Sequence, residues 1–552
     1  MAGAAALIAV LTVASRLAGF GRTAVFTWSL APTDLGGTYV VANAVPNFIF
    51  EIVAGGALAS LVVPLLAGAV AAGDRTAVAR TTGALLTWTL ALLVPLALLV
   101  VVFAGPVVES LGHHLTTAQQ QSGVRMLRVF APQLPLYGVG IVLTGVLQAH
   151  RRFAWPVLAP LLSSLTVIVV YLGFTATQGR YATVGGVSPG GEVLLSAGTT
   201  LGVVVLSLSL LVPVRRLRLG ARPGFGFPAD ARARVGGLAV AGAVTVTTQQ
   251  IALIVSLNQV TAGARSNPGV YNLVQSVYLL PWAVLAVPLA IAAYPTLVAA
   301  RAAGDEGTYR ATLSSAVRGV LLFSCLGTAA LIGTAGPVGH FFFPASTAST
   351  AAAAIIGYAP GLVGYGLFAV LTRALYARGQ TRAATVATAV GFLVVPAAVV
   401  LFGALLPLRD RVLAVTSANS VGMLVLGALL LAAVLRSAGR LALAGAARAG
   451  AAGGLAGVLA ALAGLGLTRW LDTPGGGTPT MAAAFGQGML SGVLVGVVFL
   501  AVVWFVDRQD VQPMLSRVLR RLPRRGPRGR GGGPTSGTVS PERGDGKETA
   551  AR

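Results

Sequence analysis

Charge is scarce in this sequence, and acidic charge scarcer still. Only 10% of its 552 residues are charged, with 15 Asp and Glu against 39 Lys and Arg. Soluble domains carry about 25% charged residues, so a chain this long and this poor in charge is not a soluble enzyme. One cysteine, Cys325, excludes an internal disulfide and any cysteine-based metal site. Four histidines (His113, His114, His150 and His340) are too few and too scattered for a metal cluster. No GxxxxGK[ST] loop is present, so ATP does not power this chain directly, and neither HExxH nor GxSxG points to hydrolysis. No catalytic, cofactor-binding or metal-binding residue is therefore expected. Lys547 is the only lysine, and the basic residues are otherwise all arginine.

What is present is apolar: 55% hydrophobic residues and a mean hydropathy of +0.83. Runs of about 20 apolar residues recur from end to end, each long enough to cross a hydrocarbon core of roughly 30 Å. The first run continues through Arg16 and Arg22 without a small-residue cleavage site, unlike a secretory signal. The pattern predicts an all-α polytopic membrane protein with fourteen transmembrane helices, at about 5–30, 36–71, 81–108, 125–148, 154–176, 192–214, 235–262, 268–299, 312–337, 351–376, 383–407, 412–435, 449–468 and 482–506. Prolines 46, 64, 281, 288 and 396 suggest kinks, and the pair in the eighth span marks it as the most bent. The basic stretch 216–234 reads as a linker between six-helix bundles at 1–215 and 235–435, with two further helices in 449–506. Residues 507–552, rich in Arg, Gly, Ser and Pro, read as a disordered basic tail that anchors topology or attracts anionic lipid.

Loop charge gives an orientation. The even-numbered loops hold seventeen arginines, while the odd-numbered loops hold five, or seven with Arg125 and Arg128 at a helix start. The positive-inside rule then places both termini in the cytoplasm. Inside the spans, charge costs about 2.5–3.5 kcal/mol per residue on insertion scales, so each charged group needs a reason. Arg16 and Arg22 lie in the first span, about 240° apart around the helix and about 9 Å apart along it, able to border one wide cavity but not one stripe. Glu51 is the only carboxylate well inside a span, read as a partner for one of these arginines or as a coupling site. Arg125, Arg128, Arg318 and Arg373 lie near helix ends, where snorkelling accounts for them. Asn43, Asn47, Gln249, Gln250, Asn258 and Gln275 supply neutral polar groups, for cavity lining or for interhelical hydrogen bonds. Two buried cations with almost no buried acids suit an anionic or amphipathic transported substrate.

Five ordered segments sharpen this. SRLAGFGR at 15–22 is followed by VPNFIFEIVAGGALASLVVPLL at 45–66. MLRVFAPQLPLYGVGIVLTGVLQAHRRFAWPVLAP spans 126–160, VYLLPWAVLAVPLAIAAYPTL spans 277–297, and LTRALYARGQTRAA spans 371–384. Together these resemble the MurJ (MviN) family of lipid II flippases, within the multidrug/oligosaccharidyl-lipid/polysaccharide exporter superfamily. The resemblance implies a bacterial cytoplasmic-membrane transporter of a lipid-linked peptidoglycan precursor, working by alternating access with helices 13 and 14 forming a groove for the polyprenyl tail. It also implies a coupling ion or membrane potential, and membrane lipids and cell-wall synthesis proteins as partners, with no nucleic acid. Arg16 and Arg22 match the family's first-span arginines. Phe50 and Ser276 fall where the family has cavity arginines, and Thr23 and Gly37 where it has acids. The implied substrate-binding set is Arg16, Arg22, Asn47, Glu51, Gln275 and Ser276. Two of four cations remain, which leaves open a divergent flippase, an exporter of another polyprenyl-linked glycan or drug, and a non-transporting paralog that scaffolds cell-wall synthesis.

Overall fold

The computed structural model describes residues 2–52, 59–112, 114–220, 222–226, 231–264, 267–471 and 479–506. The basic tail and Arg265 lie outside the described residues.

Every expected span falls on a helix or on consecutive helices. The first part comprises α1 (Ala2–Ser29), α2 (Asp34–Phe50), α3 (Ala59–Ala71), α4 (Arg75–Val102), α5 (Ala104–Leu111), α6 (Thr117–Phe130), α7 (Gln133–Ala149), α8 (Ala154–Gln178), α9 (Pro189–Ser209) and α10 (Leu211–Arg215). Next come α11 (Ala231–Thr261), α12 (Asn267–Pro281), α13 (Val287–Ala302), α14 (Glu306–Gly333), α15 (Ala335–Phe342), α16 (Ala345–Tyr358), α17 (Gly361–Ala377), α18 (Thr381–Leu405) and α19 (Arg411–Ala438). The last are α20 (Ala446–Leu471) and α21 (Met481–Val506). Ten helical segments among the described residues are long and apolar enough to cross a membrane, or eleven when α16 and α17 count as one bent span. The other three expected spans coincide with α1, with α2 and α3, and with α11. Fourteen spans are consistent with this architecture.

Acids are few, and several sit where they complete helix ends. Asp74 caps α4 by accepting from Ala77 N at 2.9 Å, and Asp305 caps α14 by accepting from Thr308 N at 2.9 Å. Asp34, in the first turn of α2, accepts from Val184 N at 3.1 Å and so pins the loop before α9. Arg125 on α6 grips Glu192, in the first turn of α9, through two bonds of 2.9 and 2.7 Å. Arg125 therefore does more than snorkel: it joins two helices by a bidentate pair. Glu306 serves Arg378 at 2.9 Å and Arg301 at 3.2 Å, joining the start of α14 to the end of α17.

Packing uses small residues, as expected where lipid removes the hydrophobic drive between helices. Ala449, Ala452, Gly453, Ala456, Gly457 and Ala460 form the buried stripe of α20, which packs on α14 with Cys325 against Gly453 and Gly457. α1 packs on α8, α8 on α9, and α4 on α7; further along, α18 packs on α19, α17 on α19, and α11 on α18. α2 and α1 meet α12, and α11 meets α3 and α5.

The sharp bend is not where the paired prolines suggested. The eighth span counts as one segment over Asn267–Ala302, with a π-helical turn at Trp282–Ala286 between Pro281 and Pro288. The 45° bend lies in the tenth span, between α16 and α17. Ser420 of α19 secures that break: its Oγ accepts from Gly361 N at 2.9 Å and donates to Gly357 O at 2.6 Å.

Candidate functional site: a polar cavity between α1, α2 and α12

A cavity of about 320 Å³ opens between α1, α2, α7, α8 and α9 on one side and α11 and α12 on the other. Arg22 is the only charged residue among those that line it. Around it stand neutral polar groups: Asn43, Asn47, Tyr137, Asn272, Gln275 and Ser276. Tyr39, Tyr171 and Thr199 form a hydrogen-bonded knot in the wall, with Tyr39 Oη 2.9 Å from both Tyr171 Oη and Thr199 Oγ1. Phe26 tilts against Tyr39 and Tyr171 at ring-centroid distances of 5.2 and 5.4 Å. This packing fixes α1, α2, α8 and α9 together directly beside the arginine.

Helix geometry explains why Arg22 faces the cavity and Arg16 does not. At about 100° per residue, Arg22, Thr23 and Phe26 fall within about 100° of one another on α1. The exposed apolar residues Val10, Val13 and Leu17 lie nearly opposite, where lipid would meet the helix. Arg16 sits on the flank between these faces, about 9 Å closer to the N-terminus than Arg22. It is exposed and outside the cavity lining. Both arginines are exposed within the protein, Arg22 toward the cavity. The cost of desolvating Arg22 is thus relieved by a polar space rather than by a partner.

Of the six residues expected to bind substrate, Arg22, Asn47, Gln275 and Ser276 come together at this cavity, while Arg16 and Glu51 do not. Glu51 is exposed at the end of α2 and forms no ion pair among the described residues, so it neutralises neither arginine there. Ser276 Oγ donates to Asn272 O of its own helix at 3.0 Å. Asn47 Nδ2 donates to the Asn43 backbone carbonyl at 2.8 Å, and the Asn43 side-chain Oδ1 is buried without a hydrogen-bond partner among the described residues. Phe50, where a cation was expected, lies 4.5 Å from the Tyr137 ring and braces a cavity wall. Arg22 makes no ion pair with any described residue and so remains available to an anion.

Sequence reasoning missed the tyrosines. Four of them, at 39, 137, 171 and 271, line the cavity. The available signal was a phenol deep in an apolar run, since a buried Tyr hydroxyl ordinarily finds a polar neighbour.

Residues 30–471 match the family model described as "Lipid II flippase MurJ", which covers most of the chain. The chain belongs to the MurJ family. "Lipid II flippase MurJ" of Burkholderia cenocepacia is 26% identical over 397 residues, covering 70% of this chain and 74% of that protein. "Probable lipid II flippase MurJ" of Synechocystis is 27% identical over 223 residues, and that alignment spans 40% of this chain and 41% of the relative. Among solved structures, a lipid II flippase MurJ in an inward closed conformation superposes with a TM-score of 0.71 at 18% identity, over 90% of this chain and 98% of that one. An inward-facing multidrug transporter of the MATE family gives 0.64 at 16% identity, over 78% and 98%. The structural likenesses establish a MurJ-type fold, and the family match with its many apolar helices makes this a multi-pass membrane protein.

Proposed function

We propose that this chain is a flippase that carries the headgroup of lipid II, the lipid-linked peptidoglycan precursor, across the bacterial cytoplasmic membrane. The observation that carries this reading is an unpaired arginine in a polar cavity, enclosed by membrane helices of a MurJ-type fold. An anionic diphosphate supplies the counter-charge that Arg22 lacks. One unit charge at about 4 Å and an effective dielectric of about 20 is worth roughly 4 kcal/mol. The amides of Asn47, Asn272 and Gln275 and the Tyr137 hydroxyl then replace the missing cations with neutral hydrogen bonds. Those contribute about 0.5–1.5 kcal/mol each, against about 1.5–3 for charged ones. Recognition here centres on one charge, Arg22, with neutral donors in place of further cations.

Transport is by alternating access, with the helices of 1–215 and those of 235–435 rocking about the cavity. The polyprenyl tail stays in lipid along α20 and α21, whose outer faces expose Leu455, Leu462, Phe485, Val493 and Leu500. Both termini lie in the cytoplasm, and an ion gradient or the membrane potential drives the cycle. The protein does no chemistry on its substrate.

Rescue of cells depleted of their own lipid II flippase tests this reading. The wild-type chain should restore growth and normal cell shape, and Arg22→Ala should not, at equal membrane abundance. Failure of the wild-type chain, well expressed in the membrane, would favour export of another polyprenyl-linked glycan or a scaffold without transport.

A further inference from the structure

The segment after α10 forms a strap against α4. Leu217 and Leu219 turn inward onto the apolar cluster of Val62, Leu66, Val78 and Leu85, while Arg215, Arg216, Arg218 and Arg222 are exposed. Positive φ at Arg218 (48°) and Gly220 (62°) folds the chain back toward the helix. The backbone then lies directly on α4. A Cβ on Gly83 would meet the Arg222 carbonyl oxygen at 2.0 Å, so only glycine allows this approach. Gly224 N donates to Thr87 Oγ1 at 3.1 Å, and Trp88 Nε1 donates to Phe225 O at 3.1 Å.

Two features place this strap at a lipid headgroup layer. On α4 the strap side is buried up to Leu85, and the exposed apolar surface begins at Trp88 and continues through Leu92, Leu98 and Phe103. That exposed stretch is about 22 Å long, so Trp88 marks the edge of the apolar layer, where amphipathic aromatics gather. The Trp88 and Phe225 rings meet edge to face at 5.3 Å and are 49% and 59% exposed. Just beyond them stand the four arginines, with no ion pair or hydrogen bond from their side chains among the described residues. Arg75 and Arg80, also exposed, add charge at the same end of α4.

We infer that the strap is a binding surface for the phosphate headgroups of anionic phospholipids, with Trp88 and Phe225 seated among the adjoining acyl chains. The inference concerns lipid contact and holds whether or not the chain flips lipid II. By the charge of the loops the leaflet is the inner one, and a symmetric bilayer tests the contact without relying on that orientation.

The full-length protein is reconstituted in phosphatidylcholine bilayers containing phosphatidylglycerol, with brominated chains carried by one lipid or the other. Quenching of Trp88 is read as the difference from Trp88→Phe protein. Brominated phosphatidylglycerol should quench Trp88 more strongly than brominated phosphatidylcholine at equal mole fraction. The relative association constant should fall about fivefold with each of Arg216→Gln and Arg222→Gln. The corresponding lysine variants should keep the preference, which separates loss of charge from loss of fold. Equal quenching by the two lipids would overturn the inference. Loss of the preference on adding inorganic diphosphate at matched ionic strength would also overturn it, by revealing a site for a free anion instead.

Discussion

At the scale of single residues, the account turns on the different positions of two arginines in one helix. Arg22 lines the cavity and Arg16 stands on the flank of α1. Arg22→Ala should lower transport by about 10- to 100-fold, the value of one charged hydrogen bond. Arg16→Ala should cost less, within about threefold, a contrast that a quantitative complementation series at matched expression will resolve. Arg22→Lys should recover only part of the loss, because an ammonium cannot hold two phosphate oxygens in the plane of a guanidinium. Ser276→Arg should match or exceed wild-type transport, since it returns a cation to the cavity wall beside Gln275. Arg22, Asn47 and Gln275 were legible in the sequence because polar groups inside apolar runs stand out, and Ser276 only through the family resemblance, which puts a cavity arginine at that position. The departure of Arg16 was not, because a 240° separation fits a wide cavity as well as a narrow one, and only its dimensions decide. The Tyr39–Tyr171–Thr199 knot joins three distant segments, so no local pattern announces it.

At the scale of elements, close backbone approaches and single hydroxyls set the geometry. Ser420 satisfies groups on both sides of the break between α16 and α17, so Ser420→Ala leaves buried backbone polar groups unpaired. It should destabilise the protein by about 1–3 kcal/mol, seen as a lower thermal midpoint in detergent. Gly269 on α12 presses against the end of α1, where an added Cβ would meet the Ala31 carbonyl oxygen at 2.0 Å. A larger residue there holds α1 and α12 apart at the end that faces outward in the positive-inside orientation. In a Gly269→Val background, a cysteine at Asn43 should become reactive toward an impermeant thiol reagent added outside intact cells, and in the Gly269 protein it should stay shielded. The helices themselves were readable from apolar run length, which the bilayer fixes at about 20 residues. The bends were not: two prolines in the eighth span flank a π-helical turn, while the 45° bend follows Tyr358, at Pro360. Whether a proline bends a helix depends on what the neighbours do with the freed backbone groups.

At the scale of the whole molecule, seventeen arginines in the even loops against at most seven in the odd ones set the expected topology. The sole native cysteine, Cys325, is buried, so engineered thiols report without background. Cysteines at Ala72 and Ser437 should resist an impermeant reagent in intact cells, and one at Gly475 should react; the opposite pattern would invert the topology. The fold class was legible because composition and run length dictate it, and the family because its motifs survive in order. The size and charge of the cavity were not, because they depend on how α1, α2 and α12 close around Arg22. The central claim is that this cavity passes a diphosphate headgroup, and its most direct test is lipid II flipping in proteoliposomes, followed as protection of labelled lipid II from an impermeant probe. Wild-type protein should move the label well above the rate in protein-free vesicles, and Arg22→Ala should fall close to that background. Equal rates for wild-type and Arg22→Ala protein, or a wild-type rate no higher than that of empty vesicles, would contradict it.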